Sequence, residues 1–281
     1  MNKKAFVIIL FASMITWGCE ETSTSISYQK EPVVNATLES GQIIDTLWLQ
    51  WTGEIDKVYE PSSYAISNAS VVVRGLDSDF YDSLAYDPQN PGRYYSVDPT
   101  KMIRPAETYS LSIAIPGWSQ QVTAVTTVPD TFSIISSTLT DGDTVLYDTH
   151  APVHQFYWSP SNDYGTYLPT VTYLDSFPAL IPKFFYDTTS VDFERPPSIA
   201  YRAGLPKDQQ NSDLPWVFLS YYGNIQFDVY AVDFNYSDYL NQSIPAQGGE
   251  LKDIRFNVNG GIGIFGSRTR ASGSFRIYLR P

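Results

Sequence analysis

Cys19 is the only cysteine of the 281-residue chain, and it stands where a thiol has a specific use. Lys3 and Lys4 precede an apolar run from Ala5 to Ile15, and small Gly18 precedes the cysteine. That is the three-part pattern of an export signal, and its apolar run is too short to cross a bilayer. A cysteine at such a junction is the acceptor for thioether lipidation, after which cleavage makes it the new N-terminus. Ile15 closes the apolar run, with Thr16 and Trp17 between it and Gly18.

Other groupings suggest chemistry and resolve into plainer roles. Gly261-Ile262-Gly263-Ile264-Phe265-Gly266 satisfies G-x-G-x-x-G, but a dinucleotide site needs a helix directly after the glycines. Ser267 to Gly273 carries no helical pattern, so a tight loop is expected. His150 and His154, the only histidines, would share a face on a helix, but Pro152 lies between them and zinc ligation is not expected. Asp77, Asp79 and Asp82 lack the glycine and closing glutamate of a calcium loop and read as a solvated turn. Asp141-Gly142-Asp143 reads as a hairpin turn. No G-x-S-x-G elbow is present, although a serine triad needs no sequence proximity. Thirty acidic residues offer many carboxylate pairs for glycoside hydrolysis, none in a distinctive motif. No catalytic residue, metal site or cofactor is therefore assigned.

The elements that position these residues read as almost entirely β, with no convincing amphipathic helix. Thr108 to Ile115 alternates Tyr109, Leu111, Ile113 and Ile115 with small or polar residues, the pattern of a half-buried strand. Strands at 33–38, 46–52, 69–74, 82–86, 93–97 and 121–128 complete a first set. Phe132 to Leu139, Thr144 to Tyr147, His154 to Trp158, Val217 to Tyr221, Gln226 to Asp233, Asp253 to Asn257 and Ser274 to Leu279 form a second. The expectation is an all-β protein of two tandem immunoglobulin/fibronectin type III-like β-sandwiches. Its divisions are a signal over 1–18, a flexible Ser/Thr-rich tether over 19–30, a first sandwich over 31–128 and a second over 129–281. With no thiol left after lipidation, stability must come from apolar packing, for which 15% aromatic content provides material. Net charge of -12 disfavours nucleic acid and anionic lipid as partners.

Residues 160–216 interrupt the second sandwich with eight prolines and many aromatics. Regular sheet is not expected through it. Two readings stand: a long ordered loop packed on its own sandwich, or a contact surface for a protein or glycan. Candidate contact residues are Tyr164, Tyr167, Phe184, Phe185 and Trp216, joined by Phe265 of the glycine-rich segment. Trp118 could also stack on a sugar ring.

Several phrases carry a family resemblance. They are Cys19, Glu31-Pro32-Val33-Val34-Asn35-Ala36, Ala69-Ser70-Val71-Val72-Val73, Pro91-Gly92-Arg93-Tyr94-Tyr95, Thr127-Val128-Pro129, Val229-Tyr230-Ala231-Val232-Asp233 and the segment from Gly260 to Gly266. With them the chain resembles a domain-of-unknown-function family of outer-membrane lipoproteins from Bacteroidota-type bacteria, many encoded beside TonB-dependent receptors. The start resembles a lipoprotein signal, and Glu20 and Glu21 resemble the acidic surface-export signal of such proteins. The resemblance implies a lipid-anchored, cell-surface accessory or binding module, non-enzymatic, acting with a TonB-dependent receptor in nutrient uptake or surface-complex assembly. A glycan-binding lipoprotein is the alternative, and a hydrolase the second.

Overall fold

Strand formation follows the alternation of side chains. In β1 (Pro32–Glu39) Val34, Ala36 and Leu38 are buried while their neighbours face outward. The same period runs through β2 (Leu47–Trp51), β3 (Ser70–Gly75), β4 (Tyr81–Tyr86), β6 (Thr108–Ala114) and β7 (Val122–Thr127), with the short β5 (Arg93–Tyr95) between β2 and β4. The computed structural model describes residues 28–54, 57–58, 60–182, 198–200, 205, 208–214, 216, 219–243 and 256–281. Cys19, Glu20, Glu21, Phe184 and Phe185 lie outside the described residues.

These strands close over a first core that includes Val71, Val73, Tyr94, Tyr109, Leu111 and Ile113. Tyr94 is anchored at both ends of its hydroxyl, which donates to Ile66 O at 2.9 Å and accepts from Ala69 N at 3.1 Å. A second, aromatic-rich core follows in the chain. Its smaller sheet runs β13-β10-β8, formed by Asn211–Leu214, His154–Trp158 and Ile134–Ser137. Its larger sheet contains β9 (Asp143–Leu146), β11 (Thr166–Tyr173), β12 (Ser198–Ala200), β14 (Gly223–Val232) and β17 (Phe275–Arg280). The fold is all-β, of immunoglobulin/fibronectin-like sandwich class.

The two cores change over between Val128 and Phe132 along the chain, but Val258 and Phe265 return to the first. They are carried by β15 (Val258–Asn259), which pairs β7, and by β16 (Ile262–Arg270). β16 runs parallel to β1 from Val33↔Ile262 to Glu39↔Arg268, then antiparallel to β14 from Val232↔Arg268 to Tyr230↔Arg270. One strand thus serves both sandwiches, and Glu31–Pro281 forms one compact unit.

Three sequence expectations are corrected here. The glycine-rich segment is strand, not loop: Gly263 has φ +112°, and a Cβ on it would meet Val34 O at 1.9 Å. That glycine is what lets β1 and β16 approach. Within 160–216 lies the eight-residue strand β11, paired along its whole length with β14. Its Pro169 is tolerated because Tyr167, two residues earlier, turns its carbonyl toward Leu205, away from β14, so the missing N–H falls on that same outer edge. Finally, Phe234–Ser243 is a ten-residue helix.

Candidate functional site

The helix begins where it does because Asp233 caps it. Its Oδ1 accepts from Tyr236 N at 3.0 Å, and the same oxygen accepts from Ser267 N of β16 at 3.1 Å. Oδ2 accepts from the Thr126 hydroxyl of β7 at 2.6 Å. Thr126 in turn lies 2.8 Å from the Ser267 hydroxyl, which donates to Thr127 O at 3.0 Å. One buried carboxylate therefore joins the first sandwich, the shared strand and the helix. Burial pushes the Asp233 carboxyl above its ordinary range, against the lowering effect of the hydrogen bonds it accepts. Asn257 locks the same region by accepting from Phe265 N at 3.0 Å and donating to Phe265 O at 2.6 Å. This is a structural joint.

Immediately beyond it the sheet opens. β16 and β17 lie end to end along one edge of β14, with Arg270 opposite Tyr230 and Arg276 opposite Gln226. Between them Ala271 N still donates to Val229 O at 2.8 Å, and Ser272–Ser274 then leaves the ladder: Ser272 N donates to Phe132 O, and Ile134 N donates to Ser272 O, both at 2.9 Å. The departure leaves an open cleft of about 450 Å³, lined by Asp141, Gln226, Arg270, Ser272, Ser274 and Arg276 among others. Because paired and alternate residues share a face, Gln226, Asp228 and Tyr230 stand on the same side as the two arginines.

The electrostatics of the cleft are unusual for so acidic a chain. Asp228 is 2% exposed; its two oxygens accept from Gln226 Nε2 at 3.1 and 3.0 Å, and Arg270 Nη1 stands 3.8 Å away. Arg276 spends its Nε on Gln226 Oε1 at 3.1 Å, and its backbone N–H on Asp141 Oδ1 at 2.8 Å. Across β14, Thr170 is paired with Asp228 and buried, yet its hydroxyl has no hydrogen-bond partner. A signal for this cluster was present in Arg268-Thr269-Arg270 and Arg276, a concentration of cations near the end of a chain with 18 basic against 30 acidic residues. No reading of the sequence used it.

The aromatic contact candidates fall elsewhere. Tyr167 and Phe265 are each 0% exposed, Trp216 4% and Tyr164 6%. Tyr167 packs on Tyr164, Trp158 and Phe132 at ring distances of 4.4, 5.3 and 5.5 Å, and its hydroxyl accepts from Ser161 N. Burial raises its phenol well above the ordinary range. Trp216 packs edge-on against Tyr147 and His154. These four are core, not contact surface: rings of this size are most stabilising when removed from water. Burial rules out stacking of sugars on Tyr164, Tyr167 or Trp216, while Trp118 is half-buried with its ring against Trp51 at 5.3 Å. His154 is half-buried on β10, and burial lowers its pKa, whereas His150 sits in an exposed turn. Asp82 is buried on β4 while Asp77 and Asp79 are exposed. No group of three or more potential metal ligands occurs among the described residues. Asp141-Gly142-Asp143 forms a turn, with Asp143 N donating to Thr140 O, but not a hairpin: β9 pairs in parallel with β17 and β8 pairs with β10.

Comparison with known proteins adds a family and little more. No curated protein matches the chain. A solved structure of the chicken CNTN1 FN1–FN3 domains aligns over 89% of this chain and 67% of its own, at 12% identity and a TM-score of 0.26. The model of the family described as "Domain of unknown function (DUF4249)" matches residues 20–274, from just after Cys19 into the Ser272–Ser274 turn of the cleft, and the chain belongs to that family.

Proposed function

We propose that this protein is a lipid-anchored accessory module of the outer membrane, facing the cell surface, that binds rather than transforms. It would work beside a TonB-dependent receptor in nutrient uptake or surface-complex assembly. The observation that carries the reading is the placement of Cys19. It follows an apolar run, precedes a Ser/Thr-rich stretch, and precedes the compact unit that starts at Glu31. Acylation there gives stable attachment, Glu20 and Glu21 direct the chain outward, and tethering raises the effective concentration of the sandwiches near a receptor. The joint at Asp233 makes the two sandwiches a single body, so a contact on one orients the other.

Protease shaving of intact cells with mass spectrometry, comparing wild type with Cys19→Ala, tests the anchor and the leaflet. Shaving of the wild type, with the variant released or retained unprocessed, is the expected result. A protected wild type overturns surface exposure. Crosslinking followed by pull-down tests the partner, and recovery of no outer-membrane protein overturns the accessory role.

A further inference from the structure

We propose that the cleft between Arg270 and Arg276 is a binding site for a singly charged carboxylate on a hydroxyl-bearing small molecule. The departure of Ser272–Ser274 from β14 creates it. Both guanidinium groups keep donors for a ligand. Arg270 is held only loosely by Asp228, at 3.8 Å, and Arg276 engages the protein through Nε, leaving both terminal nitrogens without a hydrogen bond among the described residues. Guanidinium is the group best matched to a carboxylate, through paired N–H donors.

The charge balance sets the ligand class. Arg270 and Arg276 face the cleft while Asp228 is buried beneath them, so the exposed charge met by a ligand is cationic, and the offset from Asp141 and Asp228 makes one added negative charge easier to hold than the two of a phosphate. The remaining groups recognise hydroxyls. Asp141, Gln226, Ser272 and Ser274 all present acceptor oxygens, the two serine hydroxyls themselves donating to Phe132 O and Ala271 O, each at 3.4 Å. No aromatic ring lines the cleft, so recognition rests on charge and hydrogen bonds and not on stacking.

The inference is independent of the anchor, because it concerns the sandwich alone. The test is titration of the full-length protein, in detergent micelles, with sodium galacturonate, galactose and inorganic phosphate in turn, followed by ligand-observed NMR. Galacturonate should bind, with galactose and phosphate each weaker by about tenfold or more. Arg276→Gln and Arg270→Gln should each weaken galacturonate by about tenfold, with thermal melting of the exposed-site variant Arg276→Gln unchanged. No binding of galacturonate, equal binding of galactose, tighter binding of phosphate, or full retention of binding in a folded Arg276→Gln variant would each overturn the proposal. A failed shaving experiment with intact galacturonate binding would remove the surface-lipoprotein reading and leave the site.

Discussion

The two halves of β16 do opposite work with the same backbone. From Ile262 to Ser267 it is pressed against β1, with Ile264, Phe265 and Ser267 buried and glycines where β1 comes closest. From Arg268 onward it carries charge: Arg268 is paired with Glu39 and stacked over Tyr230 at 4.3 Å, and Arg270 opens onto the cleft. The contrast teaches that joining and recognition are adjacent but separable. Close backbone approach demands small, dry residues, whereas a break in pairing demands polar groups that water or a ligand can satisfy.

The largest expected effect is therefore in the first half. Gly263→Val places a Cβ within 1.9 Å of Val34 O on a backbone with φ +112°. Strain and clash together should cost about 4 kcal/mol or more, measured by denaturant unfolding. A loss under about 1 kcal/mol would mean that β1 and β16 can separate cheaply, and the joint would then not be rigid.

Asp233, at the boundary of the halves, comes next. Asp233→Ala strands Ser267 N, Tyr236 N and the Thr126 hydroxyl, at a cost of about 3 kcal/mol. The pH dependence is sharper still. When protonated, Asp233 can donate to Thr126, which donates to Ser267, which donates to Thr127 O, so every hydrogen is placed. A carboxyl whose folded pKa is raised adds stability below its unfolded value of about 4, and that stability is lost as pH rises through the folded value. Asp233→Asn, which mimics the protonated acid, should therefore be costliest in acid and approach or exceed wild type near neutrality. A penalty that grows with pH would show that the ionised form is the one the joint prefers.

Much of the first sandwich was legible because its strands are local hairpins with strict alternation: Thr108–Ala114 and Ser70–Gly75 appear almost as their apolar patterns mark them. The second was less so, for two physical reasons. β11 is buried at every position but Thr172, on both faces, so its sequence Thr-Tyr-Leu-Pro-Thr-Val-Thr-Tyr shows no alternation, and Pro169 argues against a strand. β16 pairs with β1, more than 200 positions away in sequence, and its glycines signal close approach as readily as a turn. The helix Phe234–Ser243 escaped notice because its residues Asn, Tyr, Ser and Asp lack an apolar stripe, and its start is fixed by a cap at Asp233. The cleft was invisible since it depends on where a ladder stops, a property of pairing and not of any motif.

A smaller effect separates the two halves at their charged boundary. Arg268 donates to Glu39 Oε2 through Nε at 2.8 Å and Nη2 at 2.5 Å, partly shielded from solvent. Glu39→Gln keeps the shape and one acceptor but loses the charge, and should cost about 1 kcal/mol with a weak dependence on salt. Chemical denaturation at two ionic strengths checks it. A cost near that of Asp233→Ala would shift the weight of the joint from the buried carboxylate to this ion pair.

The smallest effect has the opposite sign and lies across β14 from the cleft. Thr170 sits in a strand, buried, and its hydroxyl makes no hydrogen bond. Thr170→Val replaces that hydroxyl with a methyl of nearly the same size and keeps the β-branch that suits a strand. Removing an unsatisfied buried polar group should raise stability by about 0.5–1 kcal/mol, visible as a higher denaturation midpoint at an unchanged slope. A loss of stability would mean that the hydroxyl has a partner within the folded protein.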